Sequence, residues 1–551
     1  MDNIPWWKTA VVYQIYPRSF ADTSGNGIGD LRGIINHLDY LNDGTSRSLG
    51  VDAIWLSPIF PSPQYDYGYD VSDYTAIDPT YGTMQDFEEL LTEAHSRRIR
   101  ILLDLVLNHT SHEHSWFVES RSSRNNPKRD WYVWQDGRSR KGRKPPNNWK
   151  AYFGGSAWQW DSTTDQFYLH HFLKEQPDLN YQNPEVRKAV LDVVRFWLDK
   201  GVDGFRLDVI HMLYHDEKLR NNPRSWRVFP SDMNSSFNFQ NHLYDVHQPQ
   251  THEFLKELRS KADRYDPPRV LLGEILGPPA MTKTYYGNKD ELHLVFNFIF
   301  MSRPFKAQQF QWAIDLLEQS IPEPLWPAYV LSNHDRPRAY SRYKCQKNEL
   351  KAKLLATLLL TLRGTPVIYY GEEIGMANAN VPKKHMPDPL GLRYWPLSGI
   401  IRSINRDGCR TPMQWTNEPN SGFTRAGISP WLPLSKNWPQ NNVEAQLENP
   451  NSLLSYYREL LWLRKEETAL NRGLLTFRKP NYKQLLAYER ISPDEAVLVT
   501  LNFGRRALSY KLEKDIDERQ IKLLLSSLPV QHNHKGELVI PGYCAALWQV
   551  N

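Results

Sequence analysis

The chain is predicted to be an α/β protein built on a parallel β/α barrel that carries an insertion and a separate C-terminal β domain. Three observations predict it. Strand-like and helix-like segments alternate over most of the 551 residues. The strand-like runs are nearly continuous in apolar residues, as in strands buried on both faces, rather than alternating. Several of them end in carboxylates: Gly204-Phe205-Arg206-Leu207-Asp208, Val270-Leu271-Leu272-Gly273-Glu274, and Tyr329-Val330-Leu331-Ser332-Asn333-His334-Asp335. Acids brought to one end of several strands by distant parts of a chain are what a barrel assembles into a site.

The elements follow in order. Residues 11–16 predict the first strand and 31–41 a helix. Residues 51–57 predict a second strand, 84–97 a helix and 99–107 a third strand, almost wholly apolar. Between 109 and 178 the rhythm breaks into Trp-, Asn-, Gly- and charge-rich sequence, which predicts a small inserted domain. Alternation resumes with a helix over 184–200, whose Pro184 suits a first helical turn. The acid-bearing strands follow, then a strand over 365–370 and a closing amphipathic helix over 452–464. Beyond 473, short alternating segments such as Ala496-Val497-Leu498-Val499-Thr500-Leu501 predict an antiparallel β domain. The boundaries are therefore 1–108 and 179–472 for the barrel, 109–178 for the insertion and 473–551 for the β domain.

Composition narrows the function. With 67 basic against 62 acidic residues the net charge is only +5, which argues against nucleic acid as a partner. The cluster Arg138, Arg140, Lys141, Arg143 and Lys144 reads as a solvated loop. Aromatics reach 13%, with 19 Trp, and such an excess suits a site that stacks sugar rings. Three well-separated cysteines, Cys345, Cys409 and Cys544, form no metal pattern and fit a reducing compartment. No apolar run approaches a membrane span, and the N-terminus lacks the basic start and apolar run of a signal peptide. A cytoplasmic protein without membrane or nucleic-acid partners, monomeric or homodimeric, is expected.

Within Gly204-Phe205-Arg206-Leu207-Asp208, Arg206 and Asp208 point the same way along a strand. An Arg beside a carboxylate favours its ionised form. Together with Asp104-Leu105-Val106-Leu107-Asn108-His109, Gly273-Glu274 and Asn333-His334-Asp335, this strand resembles glycoside hydrolase family 13, the α-amylase superfamily, over essentially the whole chain. Gln176-Pro177-Asp178-Leu179-Asn180 and Arg410-Thr411-Pro412-Met413-Gln414-Trp415 resemble its oligo-1,6-glucosidase and α-glucosidase branch. The resemblance implies a (β/α)8 TIM barrel with a domain inserted after strand 3 and a C-terminal antiparallel β-sandwich.

It further implies that Asp208 is the nucleophile, Glu274 the general acid/base and Asp335 the stabiliser of a distorted sugar. Asp70, His109, His334 and Arg410 match residues that hold glucosyl hydroxyls, with Arg406 the rival for the last role. Tyr69 is expected to offer a stacking face, Phe153 and Phe172 to narrow the pocket, and Gln176 and Arg206 to complete it. Val209, next to the nucleophile, leans towards α-1,6 linkages, although a β-branched residue is also an ordinary choice on a strand. The loop Asp22, Ser24, Asn26, Ile28 and Asp30 resembles a calcium or magnesium loop with one carboxylate fewer than its relatives; the alternative is a Gly-rich turn held by its own side chains. The implied activity is removal of terminal α-glucosyl units from short oligosaccharides without a cofactor. A transferase or isomerase on the same scaffold is the alternative, although the Arg-Leu-Asp-Arg-Asp motif of sucrose isomerases is absent. The non-catalytic transporter heavy chains share the resemblance, but they carry a membrane helix and lack the acids.

Overall fold

A computed structural model describes residues 4–139, 142–229, 233–401, 404–512, 521–533 and 536–550, with the side chains of 399 and 400 excepted. Eight parallel strands close into a barrel: β1 (Val12–Ile15), β2 (Ala53–Leu56), β3 (Arg100–Val106), β4 (Gly204–Asp208), β5 (Val270–Gly273), β6 (Leu294–Asn297), β7 (Ala328–Val330) and β8 (Thr365–Tyr369). Each pairs with its sequence neighbours, and β8 returns to β1.

Both faces of these strands are buried, which is why their sequences lack alternation. Val12, Trp55, Leu102, Leu272, Phe296 and Val367 belong to one apolar cluster. Tyr13, Ile54, Leu103, Leu271, Val295 and Ile368, one position away along each strand, join the larger cluster shared with the helices. The helix α1 (Met84–Ser96) opens on a capping box in which Thr83 and Asp86 each accept from the other's backbone N–H. The helix α2 (Pro184–Asp199) opens on Asn183, whose side chain accepts from Glu185 N.

Three expectations need correction. The predicted helix over 31–41 is two short ones, Leu31–Ile35 and Leu38–Leu41. The His37 ring nitrogen lies 2.7 Å from the Gly33 carbonyl, so a side chain takes the acceptor that an uninterrupted helix would use. Asp335 does not end a strand: β7 stops at Val330, and Asp335 lies in the loop beyond it. Finally, β6 has no counterpart among the expected strands.

Within the insertion, Trp134–Gln135, Trp158–Asp161 and Gln166–Leu169 form a three-stranded antiparallel sheet. Arg138, Arg143 and Lys144 are exposed on it; Arg140 and Lys141 lie outside the described residues. At the C-terminus a five-stranded and a three-stranded antiparallel sheet enclose a core that includes Leu498, Leu538 and Trp548. The larger sheet turns its other face to the barrel. Phe503 packs on Phe305 and Phe310 at centroid distances of 4.8 and 5.4 Å. Tyr488 shares a 2.6 Å hydrogen bond with Thr361, and Arg490 donates to the Thr361 carbonyl.

The loop from Asp22 to Asp30 does not fit a cation. Both oxygens of Asp22 already accept, from Ser24 Oγ and Gly25 N on one side and from Gly27 N and Thr424 Oγ1 on the other. Asp30 accepts from Thr23, Ser24 and Gly33 backbone N–H groups, and Asn26 from Ile28 N. Arg425 places a guanidinium against the Thr23 carbonyl at 3.3 Å. The side-chain oxygens of Asp22, Asn26 and Asp30 already accept from protein donors, as in a self-held turn. Chelator treatment, or addition of millimolar calcium or magnesium, is expected to leave the thermal midpoint within about 1 °C, since a specific ligand at 100 times its Kd would add about 2.7 kcal/mol. A rise of several degrees with calcium would show that the loop rearranges to bind it.

Candidate active site

Register creates the centre. Asp104 on β3 is directly opposite Arg206 on β4, and Val106 opposite Asp208. Arg206 also aligns with Leu272 on β5, so Glu274 follows at the end of that strand. The Arg206 guanidinium, 1% exposed, bonds Asp104 Oδ1 and Asp208 Oδ1 at 2.7 Å each, and also Glu274 Oε2. Besides Asp208, the partner expected from the strand, it therefore serves two further carboxylates. Asp104 completes its shell with Tyr69 Oη at 2.8 Å and Trp55 Nε1 at 3.2 Å.

Burial pushes Asp208 up to about 7 against the pull of Arg206. Burial likewise lifts Glu274 to about 7, opposed by Arg206 and reinforced by Asp208 and Asp335. Desolvation thus contributes more to the rise of Glu274 than the repulsion from Asp208 and Asp335. A side-chain hydrogen bond with Glu274 opposes the rise at Asp208. Asp335 differs: although burial opposes its charge, His334, Arg406 and Arg410 hold it well below the usual carboxylate range. Its Oδ1 accepts from Arg406 at 3.2 Å and Arg410 at 2.9 Å. Gln14 donates to His334 Nδ1 at 2.8 Å, which leaves the ring proton on Nε2, 3.2 Å from Asp335 Oδ2.

These groups face a cavity of about 840 Å³, solvent at its mouth included, lined among others by Tyr69, His109, Phe153, Phe172, Gln176, Val209, Asp208, Glu274 and Asp335. Val209 adopts φ 36°, ψ 40°, a left-handed conformation strained for a β-branched residue. Tyr69 gives one ring face to His334, 5.3 Å away and nearly parallel. Phe153 lies under the Arg406 guanidinium at 5.2 Å. Gln176 accepts from Leu173 N and reaches His109 at 3.1 Å.

Four expected residues do not line this cavity. Asp70 is fully buried and accepts from Ser62 Oγ, Tyr65 N and Asp66 N; it shapes the loop, and Asp66 faces the cavity instead. Arg410 stays beneath, bonding the His334 carbonyl and Asp335, whereas its rival Arg406 lines the space and bonds Asp66 and Asp388 at 2.8 Å. Arg206 and His334 form the floor. Tyr152, Leu276, Phe298, Asn333, Arg336 and Leu390 also line the cavity. Tyr152 stands beside Phe153 and Asn333 beside His334 in the sequence, signals that were available; Leu276 and Arg336 lie on loops, Phe298 opens a 3-10 turn and Leu390 lies in a five-residue helix, all too short to show a period.

A parallel barrel with paired carboxyls over a buried guanidinium at its carboxyl-terminal end has the architecture of a glycosidase. Residues 14–473 match the family described as "Alpha amylase, catalytic domain", and the chain belongs to that family and is a glycoside hydrolase. It is 44% identical to a probable α-glucosidase of Rhizobium meliloti over 92% of this chain and 91% of the relative. It is 40% identical to the oligo-1,6-glucosidase of Parageobacillus thermoglucosidasius over 95% of both. A solved α-glucosyl transfer enzyme is similar with a TM-score of 0.90 and 40% identity, covering 99% of this chain and all of that one.

Glu274 raised from 4.5 to about 7 has a signed consequence. Below pH 4.5 it is neutral folded and unfolded, and costs nothing; above 7 it must ionise in a site that resists its charge, and the cost is complete. Relative to the native protein, Glu274→Gln is therefore expected to gain on the order of 3 kcal/mol of stability between pH 4.5 and 8. Denaturant unfolding at both pH values measures this, and a pH-independent difference would refute the shift.

Proposed function

We propose that the protein is a retaining, exo-acting α-glucosidase that removes terminal non-reducing α-D-glucosyl residues from disaccharides and short oligosaccharides joined α-1,6 or α-1,4. The observation that carries this is the Asp208–Glu274 pair, joined by one buried guanidinium at the floor of a single cavity. Asp208 attacks C1 and Glu274 gives its proton to the leaving oxygen. Water then enters, Glu274 takes its proton back, and the glucosyl-enzyme ester is cleaved with net retention. No cofactor is needed for these steps. Asp335, held anionic by Arg406 and Arg410, supplies hydrogen bonds that strengthen as the sugar distorts towards the oxocarbenium ion. Asp66, Arg406, His109 and Gln176 recognise the hydroxyls of the terminal unit. The lean towards α-1,6 rests on Val209, which lines the cavity, and on the likeness to an oligo-1,6-glucosidase.

A glucosyl-transfer reading shares every step up to the covalent ester and differs only in what accepts the sugar; the similarity to an α-glucosyl transfer enzyme favours keeping it as the second reading. No helix among the described residues is long and apolar enough to cross a membrane. The three cysteines, buried and unpaired, support a cytoplasmic setting.

Glucose release from maltose, isomaltose and p-nitrophenyl α-glucoside is expected, with α-glucose the first anomer seen by NMR. Asp208→Asn, which removes the nucleophile, and Glu274→Gln, which removes the proton-transfer group, are each expected to lower turnover of isomaltose by at least about 10³-fold. Unchanged turnover in either variant, or β-glucose as the first product, would dismiss the mechanism. In the native enzyme kcat/KM is expected to fall as pH rises through about 7, where Glu274 loses its proton.

A further inference from the structure

The backbone that carries Glu274 is held by two buried histidines that the steps above do not use. His211 lies in the turn Ile210–Met212, three residues past Asp208, and is 1% exposed. Its ring hydrogen-bonds the Glu274 backbone in the sense that favours a proton on the ring, so it is the carbonyl that accepts. Its Nδ1 is buried without a partner among the described residues, which leaves that bond to Nε2. On its other side the Glu274 backbone N–H donates to Leu207 O of β4 at 2.9 Å. Both polar groups of this peptide segment are thus fixed.

His247 holds the next residues. Its Nε2 lies 3.0 Å from the Leu276 carbonyl and its Nδ1 2.8 Å from Tyr285 Oη. A carbonyl only accepts, so Nε2 carries the proton and the Tyr285 hydroxyl donates to Nδ1. The two histidines are also joined to each other: His247 N donates to His211 O at 2.7 Å, and the rings lie 4.9 Å apart. His247 takes φ 56°, a left-handed backbone uncommon for a residue other than glycine, which its surroundings must enforce. Burial lowers His211 well below the usual histidine range and His247 to about 4. Both rings therefore donate while uncharged. A cation making the same bonds would draw from Glu274 the proton that an acid has to give.

Resting on the glucosidase reading above, we propose that His211 and His247 are positioning residues, which through the Glu274 and Leu276 carbonyls aim the Glu274 carboxyl at the leaving oxygen of the glucoside. Neither ring lines the cavity, whereas Glu274 and Leu276 do. Their effect is accordingly confined to acid catalysis. A sugar leaving group needs the Glu274 proton as its bond to C1 breaks, but p-nitrophenolate is stable enough to depart without one. Loss of either carbonyl bond therefore handicaps the first class of substrate far more than the second.

The test measures kcat/KM on isomaltose and on p-nitrophenyl α-glucoside for the native enzyme and for His211→Leu and His247→Phe, with folding checked by thermal unfolding. Each variant is expected to lose about 10²-fold on isomaltose, the cost of a small misplacement, and less than about ten-fold on the aryl glucoside. His211→Gln and His247→Gln, whose amides can donate where Nε2 did, should restore most of the loss on isomaltose. Should an apolar variant fail to fold, the Asn variant at that position, whose shorter amide stops short of the carbonyl, takes its place in the same comparison. Equal losses on the two substrates, no loss on either, or Gln variants as biased as the apolar ones would overturn the proposal. Native inactivity on both substrates would instead remove the glucosidase reading itself.

Discussion

The site depends on one buried cation. Arg206 sits among Asp104, Asp208 and Glu274 with nowhere to release its charge, and none of the three acids has another cationic side chain in hydrogen-bond contact among the described residues. Leaving several carboxyls buried without it would cost several kcal/mol, because removing one partner of a buried ion pair strands the other. The surrounding bonds exist to hold that guanidinium and its partners still. Asp104 is fixed by Tyr69 and Trp55, Tyr69 by His334, and His334 by Gln14 on β1. Half the barrel thus takes part in aligning two carboxyl groups.

A second cationic cluster works differently. Arg406 and Arg410 hold Asp335 charged, so the cavity contains one permanently anionic carboxylate beside two whose titration lies near neutrality. Identical chemical groups acquire distinct capacities from their neighbours, which is the general route by which acid and base coexist in one site.

Much of this was legible from residues alone. Uninterrupted apolar runs announced strands buried on both faces, and Asp208 and Glu274 stand at strand ends as expected. What could not be read were choices between like residues on irregular backbone. Asp66 and Asp70 are four apart on one loop, and only the fold decides that Asp70 spends its oxygens on Tyr65 N and Asp66 N while Asp66 faces the cavity. Arg406 and Arg410 posed the same choice and resolved the same way, since Arg410 is consumed by the His334 carbonyl. Asp104 was visible as a motif letter but not as a hub, because its partners Trp55 and Tyr69 come from another strand and a loop. The Asp22–Asp30 loop has the spacing of a cation site, yet spacing does not reveal which donors reach the oxygens first.

The C-terminal sheets bear on how the molecule holds together. Tyr488, Val499, Phe503 and Leu547 belong to the same apolar cluster as the barrel's helices, with Thr361 as a shared anchor for Tyr488 and Arg490. A surface so continuous has no seam along which the two could part. The β-sandwich is accordingly an outer wall of the barrel rather than an appendage, and a chain ending near residue 472 would lay bare the flank of the helix Leu350–Thr361 to water.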